Sequence, residues 1–184
     1  EIWVGTDAGF AILYNAANTF AGNAGDFDVQ RVKVTFEGNV EYVLGNTHIT
    51  DIEVDGGNRK WVATNNGAWL IKEDGSEVVQ HLTSANSPLP GDLINCIGII
   101  PNTGEVFFGS TNGIASFRSD ATEANDVHEN TLVFPNPVHP TYDGPITISG
   151  LPEDATVKIV DIAGRVVFEL IAVGGTAVWN GLNF

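Results

Sequence analysis

Trp3-Val4-Gly5-Thr6-Asp7-Ala8-Gly9 returns as Trp61-Val62-Ala63-Thr64-Asn65-Asn66-Gly67, and again, with aromatics leading, as Phe107-Phe108-Gly109-Ser110-Thr111-Asn112-Gly113. The anchors at 3, 61 and 107 lie 58 and 46 residues apart. The second step is close to the ~40–50 residues of a propeller blade, and the first leaves room for an insertion. A second stretch keeps the same phase: Ile52-Glu53-Val54-Asp55-Gly56-Gly57-Asn58 matches Ile97 to Gly104. Between anchors the pattern predicts four strands: Ile49 to Val54, Trp61 to Thr64, Ala68 to Lys72 and Glu77 to Leu82. Asp55-Gly56-Gly57-Asn58, Asn65-Asn66-Gly67 and Glu73-Asp74-Gly75-Ser76 punctuate them as positive-φ turns. Four short strands in one repeat make a blade, and a lone blade cannot bury both of its faces. The repeat therefore predicts two to three blades of a partial β-propeller.

Composition agrees with an all-β chain. Its 184 residues include 21 Gly and 8 Pro, no Met, and far more Val, Ile and Thr than Leu. Eight Lys and Arg against 23 Asp and Glu give a net charge of −15. Such a balance repels polyanions, so nucleic acid is excluded as a natural partner. One Cys excludes an internal disulfide and a thiolate metal cluster. Glu1 enters directly on a strand, and Trp179 to Phe184 stop at a turn. The chain thus reads as part of a longer polypeptide, with further blades upstream.

Residues 119–131 carry four acids, no base and one large aliphatic residue, which predicts a solvated acidic linker between 1–118 and 132–184. Beyond it, Phe134-Pro135-Asn136-Pro137-Val138 leads to the alternating Ile146-Thr147-Ile148-Ser149. Gly150 to Asp154, Ala163-Gly164 and Gly174-Gly175 then separate strands at 157–160, 166–170 and 177–179. Strands at this spacing predict a small antiparallel, Ig-like β-sandwich with its final strand missing.

Trp-Val-Gly-Thr-x-x-Gly at 3–9 resembles the two-component-regulator type propeller repeat of bacterial surface proteins. Pro135-Asn136-Pro137-Val138, the Asp161-Ile162-Ala163-Gly164-Arg165-Val166-Val167 hairpin and Trp179-Asn180-Gly181 resemble the C-terminal sandwich of type IX secretion cargo in Bacteroidetes. The stretch from Tyr142-Asp143-Gly144-Pro145 through Ile148 extends the second likeness. What the resemblance implies is a protein secreted to, or held at, the outer-membrane surface of a Gram-negative bacterium. It also implies a non-enzymatic component of a surface attachment complex, partnering its sortase and recognising anionic lipopolysaccharide. Residues 132–184 carry five acids and two bases, however, and supply no basic patch for such a glycan.

Candidate chemistry is sparse. Asp55-Gly56-Gly57-Asn58 and Glu73-Asp74-Gly75-Ser76 lack the spacing that gathers carboxylates around calcium and read as turns. The first also resembles a sialidase Asp-box ahead of Trp61, without its leading Ser or Thr. Arg31, Arg59 and Arg118 make no arginine triad by themselves. His48, His81, His128 and His139 show no metal-ligand spacing. Cys96, between Ile94 and Ile97, is expected to be a buried inert thiol. Trp3, Trp61 and Phe107 are expected at equivalent, buried inter-blade positions. Trp69 is the candidate for stacking on a sugar, and Arg165 is the candidate exposed cation; no catalytic or metal residue and no cofactor is expected.

Two functions follow as expectations. The first is a non-catalytic surface protein of the type IX secretion and attachment system that binds other proteins of that complex or a surface glycan. The second is an exported polysaccharide-acting propeller enzyme whose sandwich is a sorting domain. Exposed apolar strand positions such as Ile2, Val4 and Ile12 are expected to make the chain self-associate.

Overall fold

The repeated Thr/Ser-x-x-Gly explains itself as a hairpin clamp. In a computed structural model describing residues 1–18, 29–36, 39–128 and 130–182, Thr6 Oγ1 donates to the Gly9 carbonyl (2.6 Å) and accepts from the Ala8 N–H (3.1 Å). Thr64 does the same with Gly67 and Asn66 (2.7 and 3.0 Å). Ser110 repeats it with Gly113 and Asn112 (3.1 and 3.2 Å). The closing glycine has φ of +100°, +91° and +142° in the three turns, a region that side chains with a Cβ rarely adopt. The next contact repeats as well: Gly9 N–H donates to Thr47 O (2.8 Å) and Gly67 N–H to Asp92 O (2.7 Å), each in the loop that opens the following set of strands.

The chain is all-β, a partial propeller followed by a small antiparallel sandwich. The strands are β1 (Ile2–Thr6), β2 (Gly9–Leu13), β3 (Lys33–Phe36), β4 (Asn39–Tyr42), β5 (Ile49–Val54), β6 (Lys60–Thr64), β7 (Gly67–Ile71) and β8 (Val78–Leu82). They continue as β9 (Ile94–Ile100), β10 (Glu105–Ser110), β11 (Gly113–Arg118), β12 (Leu132–Phe134), β13 (Ile146–Ser149), β14 (Thr156–Val160), β15 (Val166–Ile171) and β16 (Thr176–Trp179). Strands β5-β6-β7-β8 form one four-stranded antiparallel sheet, each strand bounded within one residue of the expectation. Strands β9 to β11 form a three-stranded sheet, and β1-β2 and β3-β4 are hairpins. The chain divides into two units: Glu1–Val54, Arg59–Ile99 and Val106–Phe117 make the first, and Asp55–Asn58, Ile100–Glu105 and Arg118–Phe184 the second.

In the first unit the strands send alternate residues to opposite faces, which makes two clusters. Trp61, Ala63, Ala68 and Leu70 pack with Ile94, Ile97, Val106 and Phe108. Val62 and Ile71, from the other face of the same sheet, pack with Phe10, Ile12, Val43 and Ile49. Trp61 meets Phe108 edge to face, with centroids 5.3 Å apart. Polar side chains reinforce this. Thr50 Oγ1 donates to Ile94 O (2.6 Å), and Asp51 Oδ2 accepts from the Ile97 N–H (2.8 Å), so β5 is laced to β9.

Three expectations change. Ile12 is completely buried, because the hairpin register sets it opposite Trp3, on the inward face; Ile2 and Val4 are exposed as expected. Cys96 is exposed, its Sγ lying over Gly109, where an added Cβ would sit 2.5 Å away. In β9 both Ile94 and Ile97 turn inward, three residues apart; β5 shows a register irregularity at the matching place, between Ile49 and Asp51, and such an irregularity breaks the two-residue alternation. Of the three anchors only Trp61 is fully buried; Trp3 and Phe107 are half-buried, and Phe108 fills the core beside Trp61.

In the second unit β12-β13-β16 form one sheet and β14-β15 a hairpin, around Ile148, Leu151, Ala172 and Ala177. Residues 119–131 are not uniform. Ser119 N–H donates to Gly104 O (2.9 Å), Glu123 N–H to Pro101 O (2.9 Å) and Asn125 N–H to Leu151 O (3.0 Å). Ala121 is buried, and Thr122 bridges to Gly174. Asp126 to His128, Asn130 and Thr131 are exposed. Most of these bonds are made by backbone groups, which composition does not register. Gly56 lies against Thr122, whose carbonyl an added Cβ would meet at 2.1 Å, so close approach rather than positive φ requires it; the positive φ of that turn belongs to Asn58.

Candidate functional site

Trp69, on β7 of the first unit, stacks on His81 with centroids 3.4 Å apart and an angle of 12° between the rings. It also packs against the Phe10/Ile12/Val62 cluster, and its buried indole N–H has no hydrogen-bond partner among the described residues. A sugar-stacking tryptophan needs a free ring face, and here His81 occupies one. Arg165, in the second unit, is 83% exposed yet engaged. Its Nη2 and Nε reach Asp161 Oδ2 at 2.7 and 2.8 Å, while its own N–H and that of Ala163 donate to Asp161 Oδ1. These bonds, the Arg165 N–H foremost, hold the Asp161 carboxyl below its ordinary value. Arg165 therefore closes the Asp161-Ile162-Ala163-Gly164 turn. The two candidates belong to different units.

The acidic turns spend their carboxylates locally. Asp55 Oδ1 accepts from Gly57 N–H (3.0 Å), and Asp74 Oδ1 accepts from the Ser76 hydroxyl and N–H (2.6 and 2.9 Å). The Ser76 hydroxyl is the main reason that the Asp74 carboxyl sits below its ordinary value. His48 Nδ1 lies 2.6 Å from Asp7 Oδ1, and His139 Nδ1 2.8 Å from Thr141 Oγ1. Among the described residues no three His, Cys, Asp or Glu side chains gather as a metal would require.

A cleft of about 790 Å³ lies within the second unit, and its floor is one face of the β12-β13-β16 sheet. On β13, Ile146 and Ile148 turn to the core, which leaves Thr147 and Ser149 on the cleft side. Register carries that face outward: Phe134 and Val178 stand opposite Thr147, and Thr176 opposite Ser149. Tyr142 lies beside them, its hydroxyl donating to Pro145 O (2.8 Å). The facing wall comes from Asn102, Thr103 and the segment from Arg118 to Asn125. Thr122 Oγ1 and Thr176 Oγ1 meet at 2.6 Å where wall and floor join. Sequence reasoning found the strand that carries Thr147 and Ser149 but not the cleft, because its far wall comes from segments distant in sequence. The visible signal was Phe134, an aromatic beside a Pro-Asn-Pro turn, with hydroxyls alternating on the next strand.

No protein-family model matches the chain, and no curated protein matches it either. A solved structure does: PorZ, an essential bacterial surface component of the type IX secretion system of Porphyromonas gingivalis. The match has a TM-score of 0.68 and 33% sequence identity, and it covers 97% of this chain. The chain spans 24% of the length of that PorZ chain. In sequence as well as fold, over nearly its whole length, this chain is PorZ-like.

Proposed function

We propose that this chain belongs to a non-catalytic surface component of a type IX secretion system, secreted to or held at the outer-membrane surface of a Gram-negative bacterium. It acts by binding, either to other proteins of the surface complex or to a surface glycan such as lipopolysaccharide. Its blades carry two-component-regulator type repeats, and its sandwich is a type IX C-terminal domain. The observation that carries this reading is the 33% identity to PorZ over 97% of the chain, across both units. The repeated Thr/Ser-x-x-Gly clamps support the repeat assignment, since the same side-chain bonds recur three times.

The test is surface exposure that depends on the secretion system. A tagged protein expressed in the bacterium that encodes it should be digested by protease added to intact cells. It should become protected when the type IX translocon is inactivated. Recovery from the cytoplasm in both strains would contradict the proposal.

A further inference from the structure

We propose that the cleft over the β12-β13-β16 sheet binds an uncharged saccharide, with Phe134 against an apolar sugar face and hydroxyl and amide side chains at its hydroxyls. The proposal rests on the glycan-binding half of the functional reading above and gives it a place and a chemical class.

The volume, about 790 Å³, falls within the range of small-ligand sites and suits a short oligosaccharide. Phe134 is 73% exposed, a large ring left in water at the cleft. Tyr142 is 40% exposed, and its hydroxyl is already committed to Pro145, so what it offers is its ring. Aromatic faces of this kind suit the C–H side of a pyranose, which is apolar and carries slight positive charge. The polar lining is of the matching type. Thr147 and Ser149 supply hydroxyls, and Asn102 and Asn130 supply amides; the Thr103 hydroxyl is already held between Ile100 O and the Glu105 N–H. Each such group both donates and accepts, as sugar hydroxyls do.

Charge decides against the anionic alternative. Among the described residues Arg118 is the one cation of the lining, against Asp120 and Glu123, in a chain of net charge −15. A carboxylated or sulfated sugar would meet net repulsion there. An added peptide strand fits poorly too. β12 offers three residues at the sheet edge before Pro135 and Pro137, which have no N–H to donate.

The experiment is calorimetric titration of the 184-residue chain with a panel of neutral hexose, deoxyhexose and N-acetylhexosamine trisaccharides, with trigalacturonate and a sulfated trisaccharide alongside. At least one neutral member should bind with a Kd of about 1 mM or tighter. Phe134→Ala should weaken it about tenfold with unchanged melting, since the ring is exposed. Thr147→Val should weaken it as well, and Glu123→Gln should not switch preference to trigalacturonate. Binding of acidic members alone, of no neutral member, or binding indifferent to Phe134→Ala overturns the proposal. The secretion role is read separately: a chain that binds no sugar yet is needed for secretion refutes the site alone. A chain that binds sugar yet is dispensable for secretion refutes the functional reading alone.

Discussion

At the residue scale, the hydroxyl of the repeated turn does more for stability the deeper it is buried. Thr64 is completely buried and satisfies both Gly67 O and Asn66 N–H, whereas Thr6 is exposed and water can replace its bonds. Thr64→Val should cost about 1–3 kcal/mol and Thr6→Val clearly less, read from urea unfolding. Equal costs would mean that the clamp is not the reason for the repeat. Asp161 gives a pH dependence of known sign. Its folded pKa lies below the ordinary 3.8, so its contribution is fully present above that value and is lost as pH falls through the folded one. Asp161→Asn should therefore lower the melting temperature at neutral pH, and the gap to the parent should close in acid. A gap that persists or widens in acid would contradict the Asp161–Arg165 turn. The turn glycines Gly67 and Gly75 were legible in sequence because they act within their own turns; the clamp hydroxyl stands in the repeat itself, but its role shows only in the bonds it makes. The direction of Cys96 was not legible, because Ile94 and Ile97 both turn inward three residues apart, which departs from the two-residue alternation by which a strand is read.

At the scale of elements, faces count more than residue types. Ile12 looked like an edge residue when its strand was read alone, yet its pairing with Trp3 puts it inside. The four strands from Ile49 to Leu82 were readable because each is bounded by its own turn. The wall formed by Asn102, Thr103 and Arg118 to Asn125 was not, since it depends on backbone bonds between segments far apart in sequence. Trp61 tests the packing of one sheet on the next. It is fully buried, against Phe108 and Phe117. Trp61→Ala should cost about 3–5 kcal/mol and lower the cooperativity of unfolding in the first unit. Phe108→Ala should be non-additive with it, because the two rings share one contact. Additive losses would place the rings in separate environments.

At the scale of the whole molecule, apolar surface competes with charge. Ile2, Val4 and Ile114 are 50%, 42% and 76% exposed on strands of the first unit. Contact between such faces is short-ranged, while the repulsion of a −15 chain is screened beyond about 8 Å at physiological salt. Sedimentation should show self-association that strengthens as salt is raised from low to moderate. A monomer at both salts, or dissociation by salt, would contradict that expectation.

A role in type IX secretion is a property of the whole molecule, and deletion of the gene in its own bacterium tests it most directly. The amounts of several type IX cargo proteins on the cell surface and in the medium should be compared with those of the parent. Cargo should fail to be attached and processed at the surface, and expression of the intact gene should restore it. Normal surface cargo in the deletion strain, with loss only of growth on a polysaccharide, would contradict a secretion role and point to an exported enzyme.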